Sequence, residues 1–291
     1  VELSVVIPAY NEARRLPATV AAVTGWLAAR HPDSELVIVD DGSTDDTRRV
    51  LAALVEARSP RVDVEARSPR VDVEARSPRV DVEARSPRVD VEARSPRVDV
   101  KARAPRLRVE AFERNRGKGA AVRHGVLCAR GARIAFLDAD LAYGLEPLDA
   151  LLGALDAGAD LAVGARDLLP DENRAGYRPV RRLATAAFNG LVSAVLGLTA
   201  RDTQCGLKAF RRAAARGLFS AVQTERFGFD VEVLFLAERW GLETARVPVR
   251  MRAHAESSVD LLSDSANMLA DLLRIRARAR RGAYPSGLPD A

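Results

Sequence analysis

The chain has 291 residues, 47% of them apolar, which is enough for one large or two small domains with a real core. Its 45 Lys and Arg against 40 Asp and Glu leave a formal net charge of +5, modest in total, and the charge pattern favours a single domain. Two cysteines, Cys128 and Cys205, exclude a disulfide framework and a cysteine metal pair, and no run reaches the roughly 18 uncharged apolar residues that a membrane span requires. With no secretory signal legible at its start, the chain is expected in a reducing cytoplasmic compartment.

In chain order, Ser4 to Glu12 reads as a buried parallel strand running into a short loop, and Leu16 to Ala29 has helical spacing. Leu36 to Val39 is an apolar run ending in Asp40, Asp41, Gly42, Ser43, after which a helix is expected from Thr44 to Leu54, with Thr44 as its cap. Asn115, Arg116, Gly117, Lys118, Gly119 precede an expected helix over Ala120 to Ala129, whose amino end would favour an anion. Ile134 to Leu137 is a second apolar run ending in acids, Asp138, Ala139, Asp140. Leu161 to Val163 is expected as a strand leading to Arg166. Val180 to Leu198, Val231 to Trp240 and Leu261 to Arg281 are expected helices.

Between the second helix and the strand near Val109 lie five identical copies of VEARSPRVD, Val55 to Asp99, followed by a degraded sixth, Val100 to Arg108. Each copy carries Glu, Arg, Arg and Asp and so adds no net charge. It reads as a helix-to-strand junction duplicated in place, and excising the copies restores a connection of ordinary length. A period of nine suits neither strand nor helix, and with valine and alanine as its apolar residues the unit is expected to form a loosely extended or disordered loop that spares any site. A short solenoid or partner-binding array is the other reading.

Two acidic pairs at the ends of two apolar runs place carboxylates at the carboxyl edge of an open α/β sheet, where such sheets bind ligands. Four crowded carboxylates repel one another unless a cation or a donor-rich ligand holds them, so a metal and a nucleotide account for them economically. The ordered series VVIPAYNE, VIVDDGSTDDT, NRGKG, FLDAD, VGAR and DTQCGLKAF resembles the family 2 glycosyltransferases of the polyprenyl-phosphate type, most of all the dolichyl-phosphate glucosyltransferase branch. The resemblance covers residues 3 to about 252 apart from the insert. It implies a GT-A fold: a Rossmann-like, mostly parallel sheet flanked by helices, one domain over 1–54 and 100–252, with the insert at 55–99 and an amphipathic helix and basic tail over 253–291.

The site expected from these residues has three parts. The loop Pro8 to Glu12 would wrap a base and ribose, with Tyr10 as a stacking face and Glu12 accepting from hydroxyls. The resemblance assigns Asp41 to the base and Asp40 to a supporting role. Lys118 would assist the nucleotide or its phosphates. Asp138 and Asp140, one residue apart past a strand, suit a hard cation, Mg²⁺ or Mn²⁺, that would neutralise charge on a departing diphosphate. A lipid monophosphate acceptor is already ionised at neutral pH, its second pKa being about 6, so arginines rather than a base are needed. Arg166 matches the family's GSR position, and Arg178, Arg181 or Arg182 could give a second grip; a structural salt bridge is the other reading of Arg166. The resemblance places Gln204 beside the donor sugar and has Asp230 and Glu232 shape the acceptor side; equally, the two acids would begin a helix. Glu232 would serve as a base only for a hydroxyl acceptor.

Arginines gather at 174–182 and 274–281 without interleaved aromatics, which suits an anionic membrane surface rather than nucleic acid. The helices Val180 to Leu198 and Leu261 to Arg281 are the candidates for attachment to the cytoplasmic face. Mannosyl relatives carry glutamine two residues past the second metal aspartate, where this chain has Ala142, so the resemblance leans to glucose carried on UDP. The family's late Gly-Ser-Lys segment is represented only by Glu256, Ser257, Ser258. The rival readings are a transferase using GDP-mannose, one with a soluble hydroxyl acceptor, and a silent scaffold presenting the repeats.

Overall fold

The computed structural model describes residues 1–58, 105–169, 179–199, 202–252 and 261–289. The repeat copies from Ser59 onward, Arg174, Arg178 and Glu256 to Ser258 therefore lie outside the described residues.

The seven strands are β1 (Leu3–Ala9), β2 (Ser34–Asp40), β3 (Arg106–Ala111), β4 (Arg133–Leu137), β5 (Leu161–Ala165), β6 (Leu207–Arg211) and β7 (Thr244–Pro248). They form one sheet in the order β3-β2-β1-β4-β6-β5-β7. All pairings are parallel except those of β6, which runs antiparallel to both β4 and β5. The carboxyl ends of β1, β2, β4 and β5 and the amino end of β6 therefore share one edge. This mixed α/β sheet is the fold class that the motif order implied.

The helices are α1 (Leu16–Arg30), α2 (Thr47–Glu56), α3 (Lys118–Cys128), α4 (Glu146–Asp156), α5 (Pro179–Leu196), α6 (Arg212–Ala221), α7 (Phe229–Arg239) and α8 (Leu261–Arg280), with a 3-10 turn at Arg166–Leu168. The central runs of β1, β2 and β4 are apolar on both faces because helices cover both. Leu3, Val5 and Ile7 face α1 and α4, meeting Leu16, Val20, Val23 and Leu27 at helical spacing. Val6, Val37 and Val39 point the other way, towards Ala121, Val122 and Val126 of α3 and Phe229 of α7. Each fully buried large apolar side chain contributes roughly 1.5–3 kcal/mol. A third cluster joins Val192 of α5 and Leu198 just after it to Val231 of α7 and Leu272 of α8. The end of α5 is thus packed on protein.

Helix α2 starts later than expected. Thr44 does not cap it: the Thr47 N–H is taken by Asp45 Oδ1 at 2.9 Å, while the Thr44 N–H goes to Asn11 Oδ1 at 2.9 Å. A cap acts through its side-chain oxygen, and the Thr44 hydroxyl is turned to Asn11 Oδ1 at 3.3 Å because the first loop folds over the second, leaving Asp45 to accept from the helix.

Candidate active site

The first loop is sewn to the β2–α2 loop. Asn11 N–H donates to Ser43 Oγ and Glu12 N–H to Thr47 Oγ1, each at 2.9 Å. Asn11 holds a left-handed backbone, φ 55°, which asparagine tolerates, and its side chain accepts from the Thr44 and Asp45 amides. Tyr10 stands exposed beside it, with its ring available for stacking. Pro8 pairs with Val39 inside the sheet. Burial pushes the Glu12 carboxyl up, against the pull of Arg15, and the charges of Asp140 and Asp45 raise it further.

The two aspartates that end β2 diverge. Asp40 is fully buried and accepts from Arg48 Nε at 2.8 Å and from the Ser43 N–H at 3.1 Å. The same guanidinium reaches the Phe112 carbonyl, so Asp40 fastens α2 and β3 to the end of β2. Asp41 uses both oxygens on the glycine-rich loop, taking the Arg116 and Gly117 N–H groups at 2.8 Å each. Burial raises the Asp41 pKa, opposed by those two donors. Gly42, at φ +69°, permits this approach: a Cβ there would lie 2.2 Å from the Arg114 carbonyl carbon.

The loop so held delivers Lys118, whose Nζ lies 2.6 Å from Asp138 Oδ1. Burial alone pushes the Lys118 pKa down, but Asp138, Asp230 and Asp140 outweigh it and raise it. Asp138 is crowded from the other side by the β6 entry: its N–H donates to the Gly206 carbonyl, and a Cβ on Gly206 would fall 1.8 Å from Asp138 Oδ2. Asp140 is exposed, and its Oδ1 accepts the Ala142 N–H at 3.0 Å. The turn is completed by Leu141 at φ 48°, a conformation costly for leucine and typical of functional turns. Two carboxylates on one short loop, one of them already carrying an ammonium ion, form a donor set for positive charge, and hard oxygens of this kind fit Mg²⁺ or Mn²⁺.

Behind them lies an ion pair that the sequence reading missed. Lys208 Nζ sits 2.6 Å from Asp230 Oδ1, with both side chains buried, and also donates to the carbonyls of Cys205 and Thr203. Burial pushes Asp230 up, while Lys208 and Lys118 pull it down. A lysine in an otherwise apolar strand, LKAFR, with an aspartate opening an apolar helix was the available signal. Asp230 thereby joins the Lys118–Asp138 group.

Glu232 does not join it. It is fully buried two residues further along α7, on a different face of the helix, and accepts from the Gln223 and Thr224 amides, Arg278 and Tyr284. These bonds give the carboxylate a structural task, tying α7 to α8 and the segment after it. Arg166 forms a two-toothed pair with Asp202, Nε–Oδ2 2.9 Å and Nη2–Oδ1 2.6 Å, and its N–H also donates to Asp202. Burial opposes its charge, but Asp202 and Tyr143 raise its pKa and keep it cationic. Gln204 Nε2 contacts Met268 Sδ of α8 at 3.5 Å. Arg181 and Arg182 lie in the first turns of α5, with side chains outside the described residues.

One edge of the sheet thus gathers Asp41, Lys118, Asp138, Asp140 and Asp230, and comparison with known proteins gives the class: a glycosyltransferase. Residues 4–71 and 94–219 match the glycosyl transferase family 2 profile, and the chain belongs to that family. It is 32% identical over 294 residues to a dolichyl-phosphate beta-glucosyltransferase of Drosophila melanogaster, covering 97% of this chain and 77% of the relative. The Homo sapiens enzyme of the same name is 30% identical, again with 97% and 77% covered. Among solved structures, glucosyl-3-phosphoglycerate synthase of Mycobacterium tuberculosis in complex with UDP superposes with a TM-score of 0.60 at 21% identity, over 95% of this chain and 80% of that one. That likeness fixes the fold. The same protein has been crystallised with Mn²⁺ and UDP-glucose.

Proposed function

We propose that the enzyme transfers glucose from UDP-glucose to a polyprenyl or dolichyl phosphate, with inversion, at the cytoplasmic face of a membrane. The observation that carries the reading is the convergence of the Asp41-held loop and the Asp138–Asp140 turn on Lys118 at one sheet edge. The names of the two relatives support the acceptor and the sugar.

In this reading Tyr10 stacks on the base, Glu12 accepts from the ribose, and Asp41 and its loop fix the nucleoside end. Asp138 and Asp140 would hold Mg²⁺ or Mn²⁺, which when bound supplies charge stabilisation for the departing diphosphate. Lys118 adds a second positive charge at the same place. The lipid phosphate, being ionised, needs orientation rather than deprotonation. Arg166, its fork held by Asp202, and an arginine of α5 such as Arg182 would provide it. Gln204 borders the donor sugar.

Attachment to the membrane surface is supported by α8, which buries Leu272 and Ile275 but exposes Leu269 and Leu273 on consecutive turns. Beside it a groove of about 240 Å³ is lined by Leu196, Phe235, Arg239, Arg276, Ala279 and Arg280, half of them cationic. Among the described residues no helix is long and apolar enough to cross a membrane.

The test is incubation with labelled UDP-glucose or GDP-mannose, polyprenyl phosphate and Mn²⁺. Label in the lipid from UDP-glucose is the expected result, lost on chelation and restored by Mn²⁺. Label from GDP-mannose alone overturns the donor, and label only in a soluble hydroxyl acceptor overturns the lipid. In a folded Asp140→Asn variant turnover should fall by at least about a hundredfold, in line with removal of an electrostatic group at a transition state; unchanged turnover removes Asp140 from the site.

A further inference from the structure

Where α3 crosses the edge strand β3, three side chains of different chemistry converge. His124 and Cys128 are four residues apart and so lie on one face of α3, and Glu110 belongs to β3. His124 Nε2 stands 3.4 Å from Glu110 Oε2 and 3.6 Å from Cys128 Sγ, and all three ligand atoms lie within 4.8 Å of one another.

Two contacts meet at one nitrogen. A neutral imidazole Nε2 carries either a hydrogen or a lone pair, so as a donor it serves Glu110 and as an acceptor it serves Cys128. The Glu110 contact is also long for a hydrogen bond of its kind. A central cation would use all three atoms at once. With zinc bond lengths and tetrahedral angles, the sulfur–nitrogen edge of such a site is about 3.6 Å and the nitrogen–oxygen edge about 3.4 Å, matching the distances found.

We propose that Glu110, His124 and Cys128 form a binding site for a zinc-class divalent cation, completed by solvent in a fourth position. The surroundings fit that assignment. Arg108 Nη2 holds the other Glu110 oxygen at 3.1 Å, and its Nη1 donates to the Cys128 carbonyl at 3.0 Å and to Glu35 at 3.3 Å. Phe112 meets the imidazole edge to face at 5.3 Å, orienting the ring. All three ligand residues are half-buried, so an ion can enter from solvent. A thiolate and a carboxylate offset the two charges of the cation. Burial, then the Glu110 charge, raises the Cys128 pKa, so the bound ion would displace a proton that the thiol otherwise keeps.

The donor set separates this site from the catalytic edge. Mixed sulfur, nitrogen and oxygen ligands select zinc-like ions, whereas Asp138 and Asp140 offer oxygen alone. A cation here would clamp α3, which carries Lys118 at its start, to the strand that closes one side of the sheet.

Cobalt distinguishes the two sites, because a thiolate ligand gives a near-ultraviolet charge-transfer band that carboxylates cannot. Titrating the full chain with Co²⁺ should produce that band with one equivalent bound, and Zn²⁺ should abolish it by displacement. Cys128→Ser should remove the band, whereas Cys205→Ala and Asp138→Asn should keep it. His124→Asn should weaken Co²⁺ binding by more than about tenfold, since even outer partners of a metal cost tenfold or more. No band in the wild-type protein, or a band that survives in Cys128→Ser, overturns the proposal. Were Cys128→Ser to lose its helical circular dichroism, unchanged affinity in folded His124→Asn would do the same.

Discussion

The Asp202–Arg166 pair makes the stability of the fold depend on pH. Burial pushes the Asp202 carboxyl up, but the hydrogen bonds and charge of Arg166 prevail and hold it below the ordinary aspartate value. A depressed acid contributes stability that is present above its unfolded pKa and lost as pH falls through the folded one. The melting temperature of the wild type should therefore exceed that of Asp202→Asn at neutral pH, with the gap closing across the acid range; a gap independent of pH would falsify this account. Lys208 and Asp230 pose the opposite case, because neither is exposed to water. Lys208→Met leaves a buried aspartate without its cation and should cost about 3–5 kcal/mol in denaturant unfolding. Adding Asp230→Leu should recover much of that loss, since well-packed apolar pairs replace buried ion pairs at little cost. If the double variant is as unstable as the sum of the singles, the pair is not an isolated unit.

At the scale of elements, α8 is the place where packing and exposure part company. Leu272 and Ile275 are buried against the protein, while Leu269 and Leu273 are 42% and 54% exposed one turn apart. Burying a leucine contributes about 1.5–3 kcal/mol, so Leu273→Asp should weaken co-sedimentation with anionic vesicles by at least about tenfold and leave the melting temperature unchanged. Equal sedimentation of variant and wild type would remove α8 from the membrane face. The periodicity of α8 was legible in the sequence, but which leucines face outward was not, because that depends on where α5 and α7 lie. The same holds for α2, which starts at Thr47 rather than Thr44: Asn11, 33 residues earlier, takes the Thr44 hydroxyl, and Asp45 takes the Thr47 amide. Local signals placed strand ends such as Asp40 and Asp138 correctly because an apolar run stopping at an acid is a local event. The partners of Asp41 and Asp138, the Gly117 amide and Lys118, are set by strand order, which no local window contains.

For the whole molecule, strand order explains why the acidic edge was readable while its internal pairing was not. Adjacent placement of β1, β2 and β4 brings loops that are a hundred residues apart in the chain to one rim, and the motif series reported that rim without reporting that Lys118 would touch Asp138 or that Lys208 would lie beneath them. The same order puts β3 at the margin of the sheet among the described residues, and the nine-residue copies enter the chain just before it. The family profile passes over residues 72–93, the middle of the array. Removing four copies, Val64 to Asp99, leaves one copy between the end of α2 and the degraded unit that leads into β3. Shortening the connection in this way lowers its closure entropy by about 1 kcal/mol, each halving contributing roughly 0.6. The shortened protein should melt at the same temperature or slightly higher, and its turnover with UDP-glucose and polyprenyl phosphate should stay within about twofold of the full chain. A protein that fails to fold, or folds without turnover, would show that the copies help to build the sheet margin or the site, and the view of them as an insertion into a complete enzyme would have to be given up.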